Sequence, residues 1–143
     1  MAQRIFAVSK ILSVTDVDDK VALPAEIRKH MQPMMNEEKI MELEAIDRWN
    51  QRWPLKYCSY ALQNGKFKNP VLSGAGWRKI VNENGVRHGD ELIFSGDQVE
   101  GADGVQYMIQ VIRQIVPLYG EPDTVEVVKL KSQTRMTFQG QPM

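Results

Sequence analysis

The chain is poor in the residues that mark secreted, metal-bound or membrane-spanning proteins. It has a single cysteine, Cys58, so no internal disulfide can staple the fold. Its two histidines, His30 and His88, lie at metal-ligand spacing neither from each other nor from that cysteine, which argues against a zinc site. No run approaches the roughly 18 apolar residues of a membrane-spanning helix. The opening apolar stretch, Ile5 to Val8, is broken by Ser9-Lys10 too early for a secretory leader. These absences lead to the expectation of an intracellular protein with no metal and no membrane partner. Net charge is missing as well, with 18 Lys and Arg against 18 Asp and Glu in 143 residues. That length fits one domain and falls short of the about 250 residues of a (β/α)₈ barrel. A 43% hydrophobic, 25% charged composition is that of an ordinary globular protein.

Neutrality of the whole conceals segregation along the chain. Residues 1–47 hold nine acids and six bases, and residues 83–128 hold nine acids with only Arg87 and Arg113. Between them, residues 48–82 carry Arg48, Arg52, Lys56, Lys66, Lys68, Arg78 and Lys79 and no acid at all. A neutral protein built this way is expected to present one positive face, the footprint of a polyanion partner. The competing expectation is a solvated surface whose cations are neutralised by acids from elsewhere in the chain.

The hydrophobic period predicts a mainly β domain. Residues 5–12 read as a strand, followed by a polar connection over 13–19 and a short apolar run, Val21-Ala22-Leu23. Pro24 opens about one and a half helical turns over 25–30, and Pro33 limits them. Residues 39–46 alternate apolar and charged side chains, the period of a half-buried strand. Residues 49–60 are aromatic-rich and extended, with Pro54 marking an edge or a bulge. Asn64-Gly65 carries strong turn chemistry. The clearest helix spans 74–84, where Trp77, Ile80 and Val81 recur at helical spacing and Asn84-Gly85 supplies a left-handed stop. His88-Gly89-Asp90 turns into a strand ending at Phe94, a polar loop covers 96–104, and further strands are expected over 105–116 and 125–130. Six or seven strands with two short helices indicate a closed or partly open barrel.

Three stretches resemble the plant B3 DNA-binding domain. Lys10-Ile11-Leu12-Ser13-Val14-Thr15-Asp16-Val17 is similar to the family's opening strand and its lysine, then Thr/Ser-Asp-Val loop. Val21-Ala22-Leu23-Pro24 is similar to the entry into its first short helix. The fullest match is Val71-Leu72, then Gly76-Trp77-Arg78-Lys79-Ile80-Val81, then residues 85–94 with Gly89-Asp90 and Phe94 at the family's offsets. The resemblance covers about residues 5–115. It implies a seven-stranded open pseudobarrel with two short helices over 5–116, and a C-terminal extension over 117–143 with one extra strand before a disordered tail.

The resemblance further implies a nuclear plant transcription regulator that binds double-stranded DNA in a sequence-specific manner, with other transcription regulators as candidate partners. It implies no enzyme activity, no cofactor and no small-molecule substrate. Two arms would grip the major groove: residues 13–20, and residues 64–69 within the acid-free block. Lys10, Lys66, Lys68, Arg78 and Lys79 suit phosphate contacts, which set register without reading sequence. Asn64, Lys66 and Asn69 in the second arm, with Ser13, Thr15 and Asp16 in the first, suit base edges. Asp16 has a second reading as a turn cap, and Asn64-Gly65 a second reading as a plain turn. The first arm is shorter than is usual in the family and carries Asp18-Asp19, with Lys20 its only positive charge. The alternative function is therefore a protein-interaction module on the same barrel, its DNA affinity weakened or lost.

The remaining residues with reactive side chains have structural readings. Nothing around Cys58 marks an activated thiolate, Trp53 and Trp77 read as core, and Met31, Met34, Met35 and Met41 read as core filling before an adaptable surface. Gly74-Ala75-Gly76 lacks the Gly-Lys-Ser/Thr ending of a phosphate loop.

Overall fold

A computed structural model describes residues 2–35, 39–60, 69–99, 101, 104–115, 120–121 and 123–129. Along the chain run β1 (Ala2–Ile11), α1 (Val14–Asp18), β2 (Val21–Ala22), α2 (Arg28–Met31), β3 (Ile40–Ile46), β4 (Arg52–Cys58), β5 (Val71–Ser73), α3 (Ala75–Asn84), β6 (Glu91–Val99), β7 (Val105–Ile115) and β8 (Asp123–Glu126). Single 3₁₀ turns, Ala25–Ile27 and Gln32–Met34, flank α2. The strands form one curled sheet in the order β1-β6-β7-β3-β4-β5-β2, with β8 added to β7. Every pairing is antiparallel except β3 with β7, a parallel contact of two residue pairs. The sheet does not close between β1 and β2, so the architecture is the open half-barrel that the sequence pattern and the resemblance implied.

Alternation decides which side chains enter the core. In β4 the inward positions are Trp53, Leu55 and Tyr57, and in β7 they are Tyr107, Ile109 and Val111. Phe94 of β6 stacks on Tyr107 with ring centroids 5.9 Å apart. Ile27, Met31 and Met35 plug the half-barrel from the α2 segment, and Trp77 and Ile80 do so from α3. Met31 and Met35 are therefore core, as expected, and Met41 is half-buried against them.

Two glycines are required by close approach rather than by turn chemistry. Pro54 lies inside β4 opposite Glu44, but β5 pairs only with Lys56–Cys58, so beside Pro54 the sheet has no strand on that edge. There α3 takes the strand's place, and a Cβ on Gly76 would sit 2.0 Å from the Pro54 carbonyl oxygen. The edge expected at Pro54 is thus a local one. Gly96, expected in a loop, instead lies within β6, which runs five residues past Phe94 and pairs with the start of β1. The glycine leaves space for the Phe6 ring, whose Cε2 would lie 2.5 Å from an added Cβ.

The polar connection expected over 13–19 contains a short helix, α1, that local propensity did not reveal. The last strand also differs from expectation: β8 spans 123–126, and the chain then leaves the sheet to bury Val127 and Val128. Hydrogen bonds hold this segment on three sides, from Val127 N–H to Val111 O at 2.8 Å, from Lys129 N–H to Asn84 Oδ1 at 2.9 Å, and from Gln51 Nε2 to Lys129 O at 3.0 Å. The expected tail from 132 onward lies outside the described residues.

Replacing Gly76 by Ala forces α3 away from β4, because the obstacle is backbone and cannot rotate aside. A loss of at least about 3 kcal/mol is expected, at the upper end of overpacking costs, and urea denaturation at neutral pH measures it.

Candidate nucleic-acid interface

The connection between β1 and β2 is organised by one carboxylate. Ser13 caps α1: its Oγ accepts from Asp16 N–H at 3.1 Å, while Asp16 Oδ2 accepts from Ser13 N–H at 2.8 Å, a reciprocal capping box. Asp16 Oδ1 also accepts from Ala22 N–H of β2 at 3.2 Å and from Lys10 Nζ of β1 at 3.1 Å. Asp16 is only 2% exposed. Burial pushes its carboxyl upward, but the Ser13 N–H, the Lys10 ammonium and the Ala22 N–H outweigh this and hold it below the usual carboxylate range. Its backbone carbonyl accepts from the buried Trp77 indole N–H at 3.0 Å, which ties the connection to α3.

This geometry settles the position of each candidate in the first arm. Asp16 is the turn cap, with its oxygens turned inward. Ser13 is occupied as its partner, and the Lys10 ammonium is held by Asp16. What faces solvent is Ser13, Val14, Thr15, Asp18, Asp19 and Lys20, with the Ser13 hydroxyl engaged in the cap.

Of the second arm, Asn64, Lys66 and Lys68 lie outside the described residues, whereas Asn69 is described and exposed. The two stems of this arm are anchored. Ser59 donates its N–H to Lys39 O at 2.9 Å and its Oγ accepts from Arg28 Nε at 3.4 Å; Pro70 O accepts from Leu23 N–H at 2.7 Å. Because β2 and β5 pair over only two residues, Val21 with Leu72 and Ala22 with Val71, Lys20 at one end and Asn69 at the other are separated by about 13 Å of strand. The described stems of the two connections therefore lie at opposite ends of the same short ladder.

Among the described residues, the cations of the acid-free block do not form one unopposed positive face. Arg52 pairs with Glu44 at 2.7 Å across the β3–β4 hairpin, Lys56 stands directly opposite Glu42, and Arg48 stacks over the Trp49 ring at 4.8 Å. Exposed cations near the stems of the two connections include Lys20, Lys39, Arg87 and, on the outer side of α3 next to Trp77, Arg78 and Lys79. Sequence reasoning also passed over Asp47 and Asp90 as organising groups. Asp47 accepts from Trp49 N–H, Gln51 N–H and the Trp53 indole, which closes the β3–β4 turn. Asp90 receives Arg113 Nε at 2.7 Å, Arg113 Nη2 at 2.8 Å and Arg87 N–H at 2.9 Å. Its burial is opposed by these donors, and its carboxyl is likewise held low.

No family model and no curated protein matches the chain. Among solved structures, it is similar to a chain of an Arabidopsis FUS3-DNA complex, with a TM-score of 0.55 and 20% identity over 76% of this chain and 96% of that one. A hypothetical Arabidopsis thaliana protein aligns with a TM-score of 0.49 and 13% identity, over 74% of this chain and 88% of that one. The first likeness shows that the fold is B3-like, as the residues quoted above implied.

Asp16→Asn keeps the volume but loses the charge that Lys10 and two backbone N–H groups face. A loss of about 2–4 kcal/mol at pH 7 is expected in urea denaturation. Because the folded-state carboxyl lies below its unfolded value of about 3.9, its stabilisation is complete above about pH 5 and disappears as pH falls through the folded value. The gap between wild type and variant should accordingly narrow on acidification. Asp90 contributes a loss of the same sign to both proteins.

Proposed function

We propose that the protein binds double-stranded DNA through the two connections beside the β2–β5 ladder and acts as a nuclear regulator of transcription. The observation that supports this reading is that the described stems of both connections flank the short β2–β5 ladder on a fold of B3 type, the fold shared with a protein solved bound to DNA. In this reading Lys20, Lys66, Lys68, Arg78 and Lys79 meet backbone phosphates. Thr15, Asn64 and Asn69 meet base edges, with Lys66 able to serve either surface. Lys10, Ser13 and Asp16 act one step back, by holding the first arm in shape. The reading assigns the protein no chemical reaction.

One observation favours a second reading. Asp18 and Asp19 are exposed on the first arm, where they repel a phosphate backbone and would suit a basic protein partner. Salt dependence separates the two. Five phosphate contacts give log K a slope against log[salt] of roughly −4.5 or steeper. A duplex affinity that ignores salt points to the protein-interaction module instead.

Lys66→Ala combined with Lys68→Ala is expected to weaken binding to a duplex selected from a random pool by at least about tenfold and to flatten the slope by about 1.8, with the thermal transition unchanged. Asp18→Asn with Asp19→Asn is expected to tighten binding to an arbitrary duplex several-fold. Fluorescence anisotropy titrations at several salt concentrations measure both. Should the lysine pair leave affinity untouched, the second arm is not the contact surface.

A further inference from the structure

We infer that the turn between α3 and β6 is a third contact to the duplex, with Arg87 and His88 meeting backbone phosphates beside the first arm; this rests on the DNA-binding reading above. The turn is hydrogen-bonded directly to the root of that arm. Leu12 N–H donates to Asp90 O at 2.8 Å, and Gly89 N–H donates to Leu12 O at 2.8 Å. Arg87 and His88 are therefore one turn of chain away from Ser13, where the arm begins. An element laid in the major groove has a phosphate strand on each flank, so groups fixed at its root lie where the nearer strand passes.

The local chemistry suits an anion. Arg87, His88, Gly89, Glu91, Ile11, Ile112 and their neighbours line an open cleft of about 360 Å³. Arg87 and His88 are exposed, and Gly89, at φ 93°, has open space where a side chain would otherwise stand. Asp90 is buried with both oxygens taken by Arg113, and the Arg87 charge acts on it only as a lesser contribution beside that of Arg113. Those same bonds, with the one from Arg87 N–H, hold the turn rigid, so little ordering is needed on binding. Glu91 is the acid that the patch has to outweigh; it sits half-buried in register between Ile11 and Ile112.

The contact also answers a shortage. On the first arm the Lys10 ammonium is held by Asp16, and Asp18 and Asp19 face outward, which leaves Lys20 as its cation. The nearer phosphate strand needs another positive group, and Arg87 stands closest to the root of the arm along the hydrogen-bonded chain. His88 adds a ring N–H donor next to it.

Salt titrations with the full chain and a fluorescein-labelled duplex selected from a random pool test the inference. With Arg87 included, six cations meet phosphates and the wild-type slope approaches roughly −5.4. Arg87→Ala with His88→Ala should weaken binding about tenfold and return the slope to roughly −4.5, with base preference and thermal transition unchanged. Arg87→Lys should retain the slope, since a phosphate accepts a point charge, and Glu91→Gln should tighten binding several-fold. An unchanged affinity and slope in the double variant, in a protein whose Lys66→Ala, Lys68→Ala variant is weakened, overturns the inference and leaves the two-arm reading standing. A wild-type chain that binds no duplex overturns both.

Discussion

A half-barrel with an open seam needs something to hold its two free edges, and here a single carboxylate does so. Asp16 takes an ammonium from β1, an N–H from β2 and an N–H from its own helix cap, while its carbonyl takes the indole of Trp77 from α3. A buried charge costs several kcal/mol unless it is paired and hydrogen-bonded, and the three donors on the carboxylate, one of them an ammonium, meet that requirement. Once they are in place, the shape of the first connection, the seating of α3 and the spacing of the sheet edges are fixed together. The outer surface of the first connection thus depends on a carboxylate buried beneath it.

The same device recurs at two other turns. Asp47 gathers the donors of the β3–β4 turn and Asp90 those of the turn into β6. In each case a short side chain satisfies backbone N–H groups that the change of direction would otherwise leave unpaired. The acidic character of the chain is thus partly internal. Asp16, Asp47 and Asp90 are all buried, but Asp16 and Asp90 each hold a cation, Lys10 and Arg113, so of the three only Asp47 is withdrawn from the surface without a cation beside it.

Much of the fold was legible in the residues. Alternation in 39–46, the helical spacing of Trp77 and Ile80 and the stop at Asn84-Gly85 each express a local period, and local periods can be read directly from order. The failures share a cause. Gly96-Asp97 has the chemistry of a turn, yet lies in a strand because a ring from β1 needs the space. The helix within 13–19 is stabilised by a capping pair and by partners from β2 and α3, not by propensity. Residues 123–129 are held by Val111, Asn84 and Gln51, contacts too distant in sequence to be foreseen. The turn-cap reading of Asp16 was open in the sequence and its burial was not, because a carboxylate that caps and one that reads a base look alike until the fold shows which donors surround it.

The order of amino acids by itself determined a mainly β barrel, the location of α2 and α3, and two polar connections, one of them rich in cations. Only the tertiary structure decided which charges remain available. Arg52 meets Glu44 of the neighbouring strand, Lys56 stands in register with Glu42, Lys10 meets Asp16, and Arg87 is brought to the root of an arm seventy-four residues away in sequence. The physical reason is that electrostatic interaction depends on separation in space and on exclusion of water, and neither quantity is contained in the linear sequence until the sheet has paired.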